Sequence, residues 1–367
     1  DARGRAPTGD GAMPDVHITI DAECSMGGAW TNPGYEPVGP ERAVLGRVDG
    51  ASYGTPLIMD ILEEHGLRGT FFVEVLASTV LGERALAEAY ETVLRRGHDA
   101  QLHAHPVYRY YAKVRQGALT ESQLPPEMDL IGSLAPDVQR ELLEEARDIF
   151  VRLTGKKPTA FRAGNYGASL ETLRLLDEMG FTHDSSFNAA YTNGMCLVSP
   201  GMVTNTPWQV GGLWEVPVTT FQTGARIRTK VKPLDIAGVS FPEIRRVLEQ
   251  AERTGPGTVT MVLHSFSLLK RADVQFRRMK PDRLVIRRFQ RLCRFLGSER
   301  DRFPVRTFAD AREPRTEAPA APLPAMGTLL PAWRRLVQGV NRFYWAAACV
   351  AMSELAPRGM PELTFLL

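Results

Sequence analysis

Strand-like apolar runs alternate with amphipathic helical stretches for about three hundred residues, and this alternation constrains the fold more than any other feature. Such an order is typical of repeated βα units, in which successive strands lie parallel in one sheet and helices cover it. The spacing of the runs favours a barrel over an open sheet. The predicted strands are residues 16–21, 69–75, 99–105, 159–163, 182–186, 214–219, 259–266 and 305–308.

Two of the intervening helices have clear start and stop signals. Pro136 stands near a helix start, and Gly155 is a C-terminal stop after apolar residues at helical spacing. A second helix is predicted between Ser169 and Gly180. Residues 106–135 break this rhythm with a tyrosine cluster and a Pro-Pro pair. Connections of that length are usually functional or mobile, so this segment is a candidate part of a site.

Composition and charge narrow the class of protein. Of 367 residues, 44% are apolar and 23% are charged, which is typical of a globular chain and excludes collagen or a disulfide mini-fold. The net charge of +2 gives no basic footprint, so no nucleic-acid partner is predicted. Cys24, Cys196, Cys293 and Cys349 have neither metal-binding nor disulfide spacing and are predicted to be buried thiols.

The two ends of the chain differ in composition from its middle. Residues 1–14 are predicted to be a disordered leader and residues 15–310 the α/β domain. Residues 311–331, rich in Ala and Pro, are predicted to be a linker, and residues 332–367 a C-terminal helical extension. The longest apolar stretch there has about ten residues, whereas a membrane-spanning helix needs about 20, so no transmembrane segment is predicted.

The C-terminal extension also carries a prediction about partners. Trp333, Leu336 and Tyr344 lie on one helical face, which we expect to dock on the chain's own domain. Contact with a membrane surface or a protein partner is the alternative. No export signal is visible, so a cytoplasmic or membrane-peripheral location is favoured, and an extracytoplasmic one stays open if a signal was removed.

Paired carboxylates end the first predicted strand. The run VHITIDAE leads from apolar residues into Asp21 and Glu23, which period-two alternation puts on the same face. In parallel α/β folds, ligands and catalytic groups gather at the carboxyl ends of strands. The pair is therefore a candidate site, although a solvated strand end would also explain it.

Two imidazoles end the third predicted strand. His103 and His105 share one face, just before Pro106. With the carboxylates of the first strand they form a nitrogen and oxygen donor set suited to zinc, with positions left for water. The alternative is that they are ordinary histidines on a wet strand.

Polar groups also follow three later strands. They occur in the segments FRAGNYG, HDSSF and VLHS, which contain Arg162, Asp184 and His264. An arginine before a glycine-rich turn can hold a carboxylate, and a histidine can act as a general acid. Each segment taken alone has an equally good structural explanation.

Together and in this order, the five segments IDAE, GHDAQLHAHP, FRAGNYG, HDSSF and VLHS resemble the polysaccharide deacetylase family, carbohydrate esterases with a NodB homology domain. The resemblance covers most of residues 15–310 and implies a distorted (β/α) barrel of about seven strands, followed here by the helical extension. The metal pair is H-x-H instead of H-x-x-x-H, and Glu23 replaces the usual Asp, which indicates an atypical branch.

The resemblance also implies roles for individual residues. It makes Asp21 the catalytic base, held by Arg162, and His264 the general acid, tuned by Asp184. It makes Glu23, His103 and His105 ligands of a divalent metal, Zn²⁺ in first place and Co²⁺, Ni²⁺ or Mn²⁺ as alternatives. Further residues predicted to contact the substrate are Asn165, Tyr166 and Trp214.

The function expected from this resemblance is metal-dependent removal of an acyl group, an N-acetyl group in first place, from a sugar of a bacterial envelope glycan or exopolysaccharide. Two alternatives are a related hydrolase of a non-glycan C–N bond, such as a ureide or formamide, and a non-catalytic carbohydrate-binding barrel. A groove lined by Tyr108, Tyr110, Tyr111 and Trp214 would favour glycans, and a small closed pocket would favour the second option.

A basic segment follows the strand that ends in His264. Between Lys270 and Arg294 there are ten Lys or Arg and two Asp, a local balance of +8 in a nearly neutral chain. A solvated face is the default interpretation of the helical part, predicted over residues 282–297. Residues 270–280 overhang the predicted site, and we hypothesise that they bind an anionic substrate such as a phosphorylated or uronic-acid glycan.

Overall fold

The computed structural model describes residues 13–224, 230–254, 257–313, 323–339 and 341. Within these ranges the strands are β1 (Asp15–Ala22), β2 (Arg47–Val48), β3 (Ala51–Ser52), β4 (Thr70–Glu74), β5 (Asp99–Ala104), β6 (Ala160–Ala163), β7 (His183–Asp184), β8 (Trp208–Val210), β9 (Leu213–Glu215), β10 (Thr220–Thr223), β11 (Lys230–Pro233), β12 (Thr258–His264), β13 (Leu269–Arg271) and β14 (Met279–Pro281).

The helices of the described ranges alternate with these strands. They are α1 (Pro40–Ala43), α2 (Thr55–Glu64), α3 (Ser78–Leu81), α4 (Glu83–Arg95), α5 (Val107–Arg115), α6 (Pro136–Thr154), α7 (Leu170–Glu178), α8 (Phe241–Thr254) and α9 (Arg283–Ser298). Residues 329–339 form a further helix, α10.

The main sheet has the strand order β12-β1-β4-β5-β6-β7-β9-β8. Its first seven strands are parallel, and β8 pairs antiparallel with β9 at the far edge. The sheet curls into a half-barrel with helices packed on it. This confirms the α/β fold expected from the sequence, a distorted (β/α) barrel with about seven parallel strands.

The two faces of the sheet bury different clusters. On β4, Phe71 and Val73 belong to the large core shared with the helices, whereas Phe72 belongs to a small cluster on the opposite, inner face. The alternation follows from the period of two along a strand. Trp214 and Phe308 complete the inner cluster and fill the interior of the sheet below the site.

Three predicted strands differ from the observed ones. Residues 305–308 form only a bridge between Val16 and Val305, since Phe308 turns inward to pack against Phe72 and His17. The predicted strand 182–186 is reduced to β7. Of the predicted strand 214–219 only residues 214–215 lie in a strand, β9, and the separate β10–β11 hairpin begins at Thr220. The long connection 106–135 contains the helix α5.

The helix α10 docks through its polar side. The Nε of Arg334 lies 3.1 Å from Oε1 of the fully buried Glu243 on α8, and Gln338 Nε2 donates to the carbonyl of Gly238 at 3.2 Å. Trp333 and Leu336 remain 60% and 59% exposed. The expected docking through the apolar face is therefore wrong for these two residues, because a buried ion pair fixes the opposite face. Tyr344 lies outside the described residues.

The described residues cover only part of the other predictions, those about the chain ends, the cysteines and membrane segments. Residues 1–12 of the predicted leader and residues 314–322 of the predicted linker lie outside the described residues. Cys24, Cys196 and Cys293 are free and buried, as expected, and Cys349 lies outside the described residues. Among the described helices, none has the length and apolar character that crossing a membrane requires.

Candidate active site

The strand register brings the first and last predicted motifs together. Asp21 on β1 is aligned with His264 on β12, although the two residues are separated by most of the domain. Partners in a parallel register have side chains on the same face. The same alternation places Thr19 and Asp21 on the inner face of the sheet, at the carboxyl end where ligands bind in parallel α/β folds.

Asp21 is held by a buried arginine. Nη1 of Arg162 donates to Asp21 Oδ1 at 2.7 Å and to Thr19 Oγ1 at 2.9 Å. Nε and Nη2 of Arg162 donate to the carbonyl and hydroxyl of Ser185, both at 3.0 Å. The guanidinium also lies 4.3 Å from the centre of the Phe72 ring. These contacts leave Arg162 and Asp21 almost without solvent exposure, so the orientation of the carboxylate is fixed.

Glu23, His103 and His105 converge beside Asp21. Oε2 of Glu23 lies 3.1 Å from Nε2 of His103 and 2.9 Å from Nε2 of His105. The three side chains offer ligand atoms that all lie within 4.8 Å of one another. The sequence predicted that these residues share a site, and the structure brings them together.

The other ring nitrogens determine what the imidazoles can bind. Nδ1 of His103 lies 2.7 Å from the carbonyl oxygen of Arg162, which can only accept, so Nδ1 is the donor. Nδ1 of His105 donates to Asp129 Oδ2 at 2.9 Å. Because Nδ1 of each ring faces an acceptor, Nε2 is the atom of each ring that faces Glu23 and that can serve as a metal ligand once it is deprotonated. Two imidazole nitrogens and one carboxylate are a donor set that zinc hydrolases use, so these residues fit a divalent metal ion.

Asp129 is a functional candidate that the sequence reasoning missed. Besides His105, its carboxylate accepts from the backbone N–H of Val107 at 3.1 Å and from Asn165 Nδ2 at 2.7 Å. It lies in the long connection after β5, which the sequence had marked as functional or mobile. Its position inside that connection has no periodic pattern, so sequence reasoning could identify the segment but not the residue.

Charge within this cluster shifts the pKa of its members. Burial raises the pKa of Glu23, but hydrogen bonds and charge from His103 and His105 outweigh burial and leave it well below its usual value. Burial lowers the pKa of His105, but Asp129 and Glu23 outweigh burial and leave it well above its usual value. A proton on His105 thus balances two carboxylates, and a divalent cation would compete for the same place.

A second buried carboxyl supports the segment that carries His105. Oε1 of Glu74, at the end of β4, accepts from the N–H of Leu76 at 2.8 Å and of His105 at 3.4 Å, and Oε2 accepts from Ala77 at 2.9 Å. Burial raises the pKa of Glu74 to about 7. Sequence reasoning gave this residue no role, although a glutamate that ends an apolar strand is a usable signal.

His264 faces the metal-site cluster from the other side of the cavity. Its Nε2 lies 3.9 Å from Glu23 Oε1, and its ring stacks on Phe266 with centroids 5.3 Å apart and an interplanar angle of 23°. The backbone N–H of His264 donates to the hydroxyl of Ser267 at 2.9 Å. The imidazole is therefore oriented by its neighbours while its side chain is still 35% exposed and accessible to a ligand.

The turn after β6 shapes the wall beside His105. Asn165 and Tyr166 both have left-handed backbone conformations, with φ of 53° and 59°, which non-glycine residues rarely adopt. A Cβ on Gly164 would lie 2.5 Å from His105 Nδ1, so only glycine fits against this ring. The N–H of Gly167, a candidate oxyanion donor, already donates to the carbonyl of Gly164 at 2.9 Å.

A cavity of about 200 Å³ opens above these side chains. Its wall includes predicted substrate contacts, Asn165 and Tyr166, and Tyr166 stacks on Tyr191 at 5.6 Å with an interplanar angle of 13°. Sequence reasoning missed Tyr191, which lies in a segment without secondary structure. The lining residues are Asp21, Glu23, His103, His105, Ala163, Asn165, Tyr166, Tyr191, Met195, Pro233, Asp235, Val262 and His264.

Asp184 does not contact His264 in the way the resemblance implies. Its Oδ2 accepts from the N–H of Ser186 and its Oδ1 from the hydroxyl of Ser186, both at 2.8 Å. Burial and the neighbouring Asp184 raise the pKa of Glu215 well above its usual value. Besides Asp21 and Glu23, the carboxylate that lines the cavity with His264 is Asp235, on the segment between β11 and α8.

The aromatic residues expected to line a sugar groove are mostly buried. Trp214 is 7% exposed and packs in the inner cluster with Phe72 and Phe308, so a substrate-binding role does not match its position. Tyr108, Tyr110 and Tyr111 are 2%, 7% and 8% exposed and are absent from the cavity wall as well.

Comparison with known proteins gives one family. Residues 42–183 match the family model described as polysaccharide deacetylase. This part of the chain is therefore similar to a polysaccharide deacetylase domain. The matched part includes His103, His105 and Arg162, whereas Asp21, Glu23 and His264 lie outside it. In the structure, residues from inside and outside the matched range 42–183 line the same cavity.

Solved structures similar to this chain include three with low sequence identity. One is a Mycobacterium smegmatis protein described as a polysaccharide deacetylase, 18% identical, with 85% of this chain and 99% of that chain covered and a TM-score of 0.44. Another is the peptidoglycan deacetylase PdaC from Bacillus subtilis, which is 14% identical, with 82% of this chain and 90% of that chain covered and a TM-score of 0.35. A third is BA3943 from Bacillus anthracis, described as a CE4 family pseudoenzyme. It is 11% identical, with 86% of this chain and 70% of that chain covered and a TM-score of 0.38. A search of curated protein sequences gave no match.

Proposed function

We propose that the protein is a metal-dependent hydrolase that removes an N-acyl group, an acetyl group in first place, from a sugar of a bacterial envelope glycan or exopolysaccharide. One observation carries this proposal: the Nε2 atoms of His103 and His105 and the carboxylate of Glu23 converge in the cavity that also receives Asp21 and His264. The match to the polysaccharide deacetylase family supports it.

Glu23, His103 and His105 would hold the metal ion. Zn²⁺ suits this donor set best, and Co²⁺, Ni²⁺ or Mn²⁺ are alternatives. When bound, such an ion polarises the acyl carbonyl and makes water acidic enough to give up a proton near neutral pH. The hydrogen bonds of His103 to the Arg162 carbonyl and of His105 to Asp129 keep both rings oriented for this task.

Asp21 has the position of a general base. Arg162 donates to one of its oxygens at 2.7 Å, which leaves the other oxygen for the cavity. It would take the proton of the water that attacks the acyl carbonyl. Because Arg162 is fully buried and bonded to Ser185, the base cannot swing away between turnovers.

His264 has the position of a general acid. Breaking the C–N bond leaves an amine that needs a proton, and an imidazole can deliver one near neutral pH. His264 Nε2 lies 3.9 Å from Glu23 Oε1, and the imidazole lines the same cavity as Asp21. Acid and base can thus both reach a substrate bound in this cavity.

The stacked pair Tyr166 and Tyr191 supports a sugar as the substrate. Both rings line the cavity, and aromatic faces are common contacts for the apolar faces of sugar rings. The non-glycan C–N hydrolase and the non-catalytic binding barrel are the alternatives that a substrate test must separate. The compartment in which the protein works stays a prediction.

Metal content and turnover test the proposal together. The zinc-loaded protein is expected to bind about one equivalent of Zn²⁺ and to release acetate from acetylated chito-oligosaccharides. His103→Ala with His105→Ala should lose the ion, and Asp21→Asn should keep the ion but lose turnover. Asp301→Asn, on an exposed turn, is the matched control and should change neither.

The outcomes separate the alternatives. Hydrolysis of ureides or formamides alone, without acetate release from acetylated sugars, would support the non-glycan hydrolase. Sugar binding without turnover on any acetylated substrate would overturn hydrolysis in favour of the binding barrel. Retention of the ion by the double histidine variant would overturn the ligand assignment.

A further inference from the structure

One arginine of the basic segment is held in a way that differs from its neighbours. Arg271 ends β13, and its guanidinium carbon lies 4.3 Å from the centre of the Phe266 ring and 4.6 Å from that of Phe276. The guanidinium is therefore flanked by two aromatic rings, while the residue as a whole is exposed. Flanking rings fix a guanidinium plane by cation–π contact.

The rings leave the hydrogen-bonding edge of Arg271 unused. Within the described part of the chain, no carboxylate pairs with it and no acceptor receives its N–H groups. Its neighbours differ: Lys270 Nζ donates to Asn341 at 2.8 Å, and Arg278 Nε lies 3.9 Å from Asp273. A guanidinium has five N–H donors in one plane, so the rings position this fork without satisfying it.

Arg271 lies one ring away from the proposed general acid. Phe266, which contacts the guanidinium on one side, stacks on His264 at 5.3 Å. His264 in turn lines the cavity and faces Glu23. The β13–β14 hairpin fixes this column, since Lys270 and Lys280 are paired across it and Phe276 is buried. The fork is thus separated from His264 by a single aromatic ring, Phe266.

Local electrostatics favour an added negative charge at this place. Burial between the rings lowers the pKa of Arg271 from its usual value, while the charge of Glu23 raises it. A partly desolvated cation without a paired anion gains from a ligand that supplies both charge and acceptor oxygens. Carboxylates and phosphates match the planar fork with two parallel hydrogen bonds.

We propose that Arg271 is a specificity residue that binds an anionic oxo group, a carboxylate or a phosphate, on the acylated sugar or on the sugar next to it. This inference rests on the proposed function, since the sugar it selects is the one whose acyl group reaches the site. It replaces the broader hypothesis for residues 270–280 with one side chain. Arg277, which lies over the exposed face of Tyr35, is not part of it.

Binding of three probes to the zinc-loaded full chain tests this assignment. The probes are N-acetylglucosamine, its 6-phosphate and its 6-carboxylate, measured by titration calorimetry at low and high salt. The wild type should bind one or both anionic probes at least about 10-fold more tightly than the neutral one. Arg271→Gln should reduce that ratio to near 1, and Arg271→Lys should give an intermediate ratio. The matched control Arg277→Gln, on the same hairpin, should keep the wild-type ratio.

Each outcome has a definite meaning. Preference for the phosphate probe alone assigns a phosphorylated sugar, and preference for the carboxylate probe alone assigns a uronic acid. A wild-type ratio near 1, or an unchanged ratio in a folded Arg271→Gln variant, overturns the proposal. Because binding and acetate release are measured separately, Arg271-dependent selectivity without turnover would contradict the proposed hydrolysis but support the anion site. Turnover without that selectivity would do the reverse.

Discussion

The carbonyl oxygen of Arg162 accepts a hydrogen bond from Nδ1 of His103 at 2.7 Å, while the side chain of the same arginine donates to Asp21 at 2.7 Å. One residue thus orients a metal ligand through its main chain and the base through its side chain. The two functions are separable by mutation, because a substitution changes only the second contact.

Arg162→Lys should therefore keep the metal and lose turnover. The main-chain carbonyl still accepts from His103, so we expect about one equivalent of zinc as in the wild type. A lysine cannot make the four bonds of the guanidinium to Thr19, Asp21 and Ser185, so kcat should fall by about 100-fold or more. Metal analysis and acetate release measure the two effects, with Arg147→Lys on the exposed face of α6 as control. Loss of the metal together with activity would contradict this separation.

Asp129→Asn should weaken metal binding without unfolding the protein. Asp129 lies on a surface connection but fixes the ring of His105, and loss of such an outer partner costs about 10–100-fold in metal affinity. Competition with a chromogenic zinc chelator measures the affinity. Glu127→Gln, exposed on the same connection, is the matched control and should leave the affinity unchanged. Equal affinities in the three proteins would show that His105 is oriented without Asp129.

Gly164→Ala should disturb the metal site more than the fold. The new Cβ would lie 2.5 Å from His105 Nδ1, a distance that real Cβ atoms essentially never show, so the ring must move and its bond to Asp129 must break. We expect zinc affinity to fall at least about 10-fold, with a smaller effect on the melting temperature of the metal-free protein. Gly34→Ala, where a Cβ meets nothing within 4 Å, is the control. Wild-type zinc affinity in the folded Gly164→Ala protein would be incompatible with this packing.

The stability of the protein should depend on pH through His183. Burial lowers the pKa of this imidazole to about 4, and within the described residues its Nε2 has no hydrogen-bond partner. Between about pH 6.5 and pH 4 the unfolded chain binds a proton that the folded protein does not. The free energy of unfolding therefore falls as the pH is lowered through this range, by at most about 1.4 kcal/mol per pH unit for this residue.

His183→Gln isolates this contribution. Urea unfolding of the wild type and the variant at pH 7.5, 6 and 5 gives the two pH dependences. The wild type should lose stability more steeply than the variant below pH 6.5, because the glutamine has no proton to bind. Parallel curves would mean that His183 can be protonated in the folded protein.

The sequence predicted the centre of the site well because the signals lie at the ends of strands. Once parallel strands are inferred, their carboxyl ends must meet, so Asp21, His103 and His264 could be expected at one edge of the sheet before any coordinates were considered. The structure adds the register, in which Asp21 is aligned with His264 and His103 with Arg162. These pairings depend only on strand order.

The residues that the sequence analysis missed lie in connecting segments, where neither the helical nor the strand periodicity of side chains applies. Asp129 and Tyr191 belong to connections, whose paths are set by tertiary contacts, and nothing in their local sequence indicates that they face the cavity. Trp214 shows a different error, since it was predicted to contact the substrate and is instead buried with Phe72 and Phe308. The helix α10 was assigned the wrong face because a single buried pair, Arg334 with Glu243, outweighs an apolar stripe.

The alignment of β1 with β12 has a consequence for the order in which the protein can assemble during synthesis. Glu23, His103 and His105 all emerge from the ribosome within the first third of the chain, whereas His264 arrives on β12, beside a strand made more than two hundred residues earlier. Pairings over such a sequence distance form slowly, because a long loop must close first. A nascent chain can thus bring the proposed metal ligands together well before His264, the proposed general acid, is added. The pairing of β12 with β1 that completes the sheet therefore also completes the proposed active site.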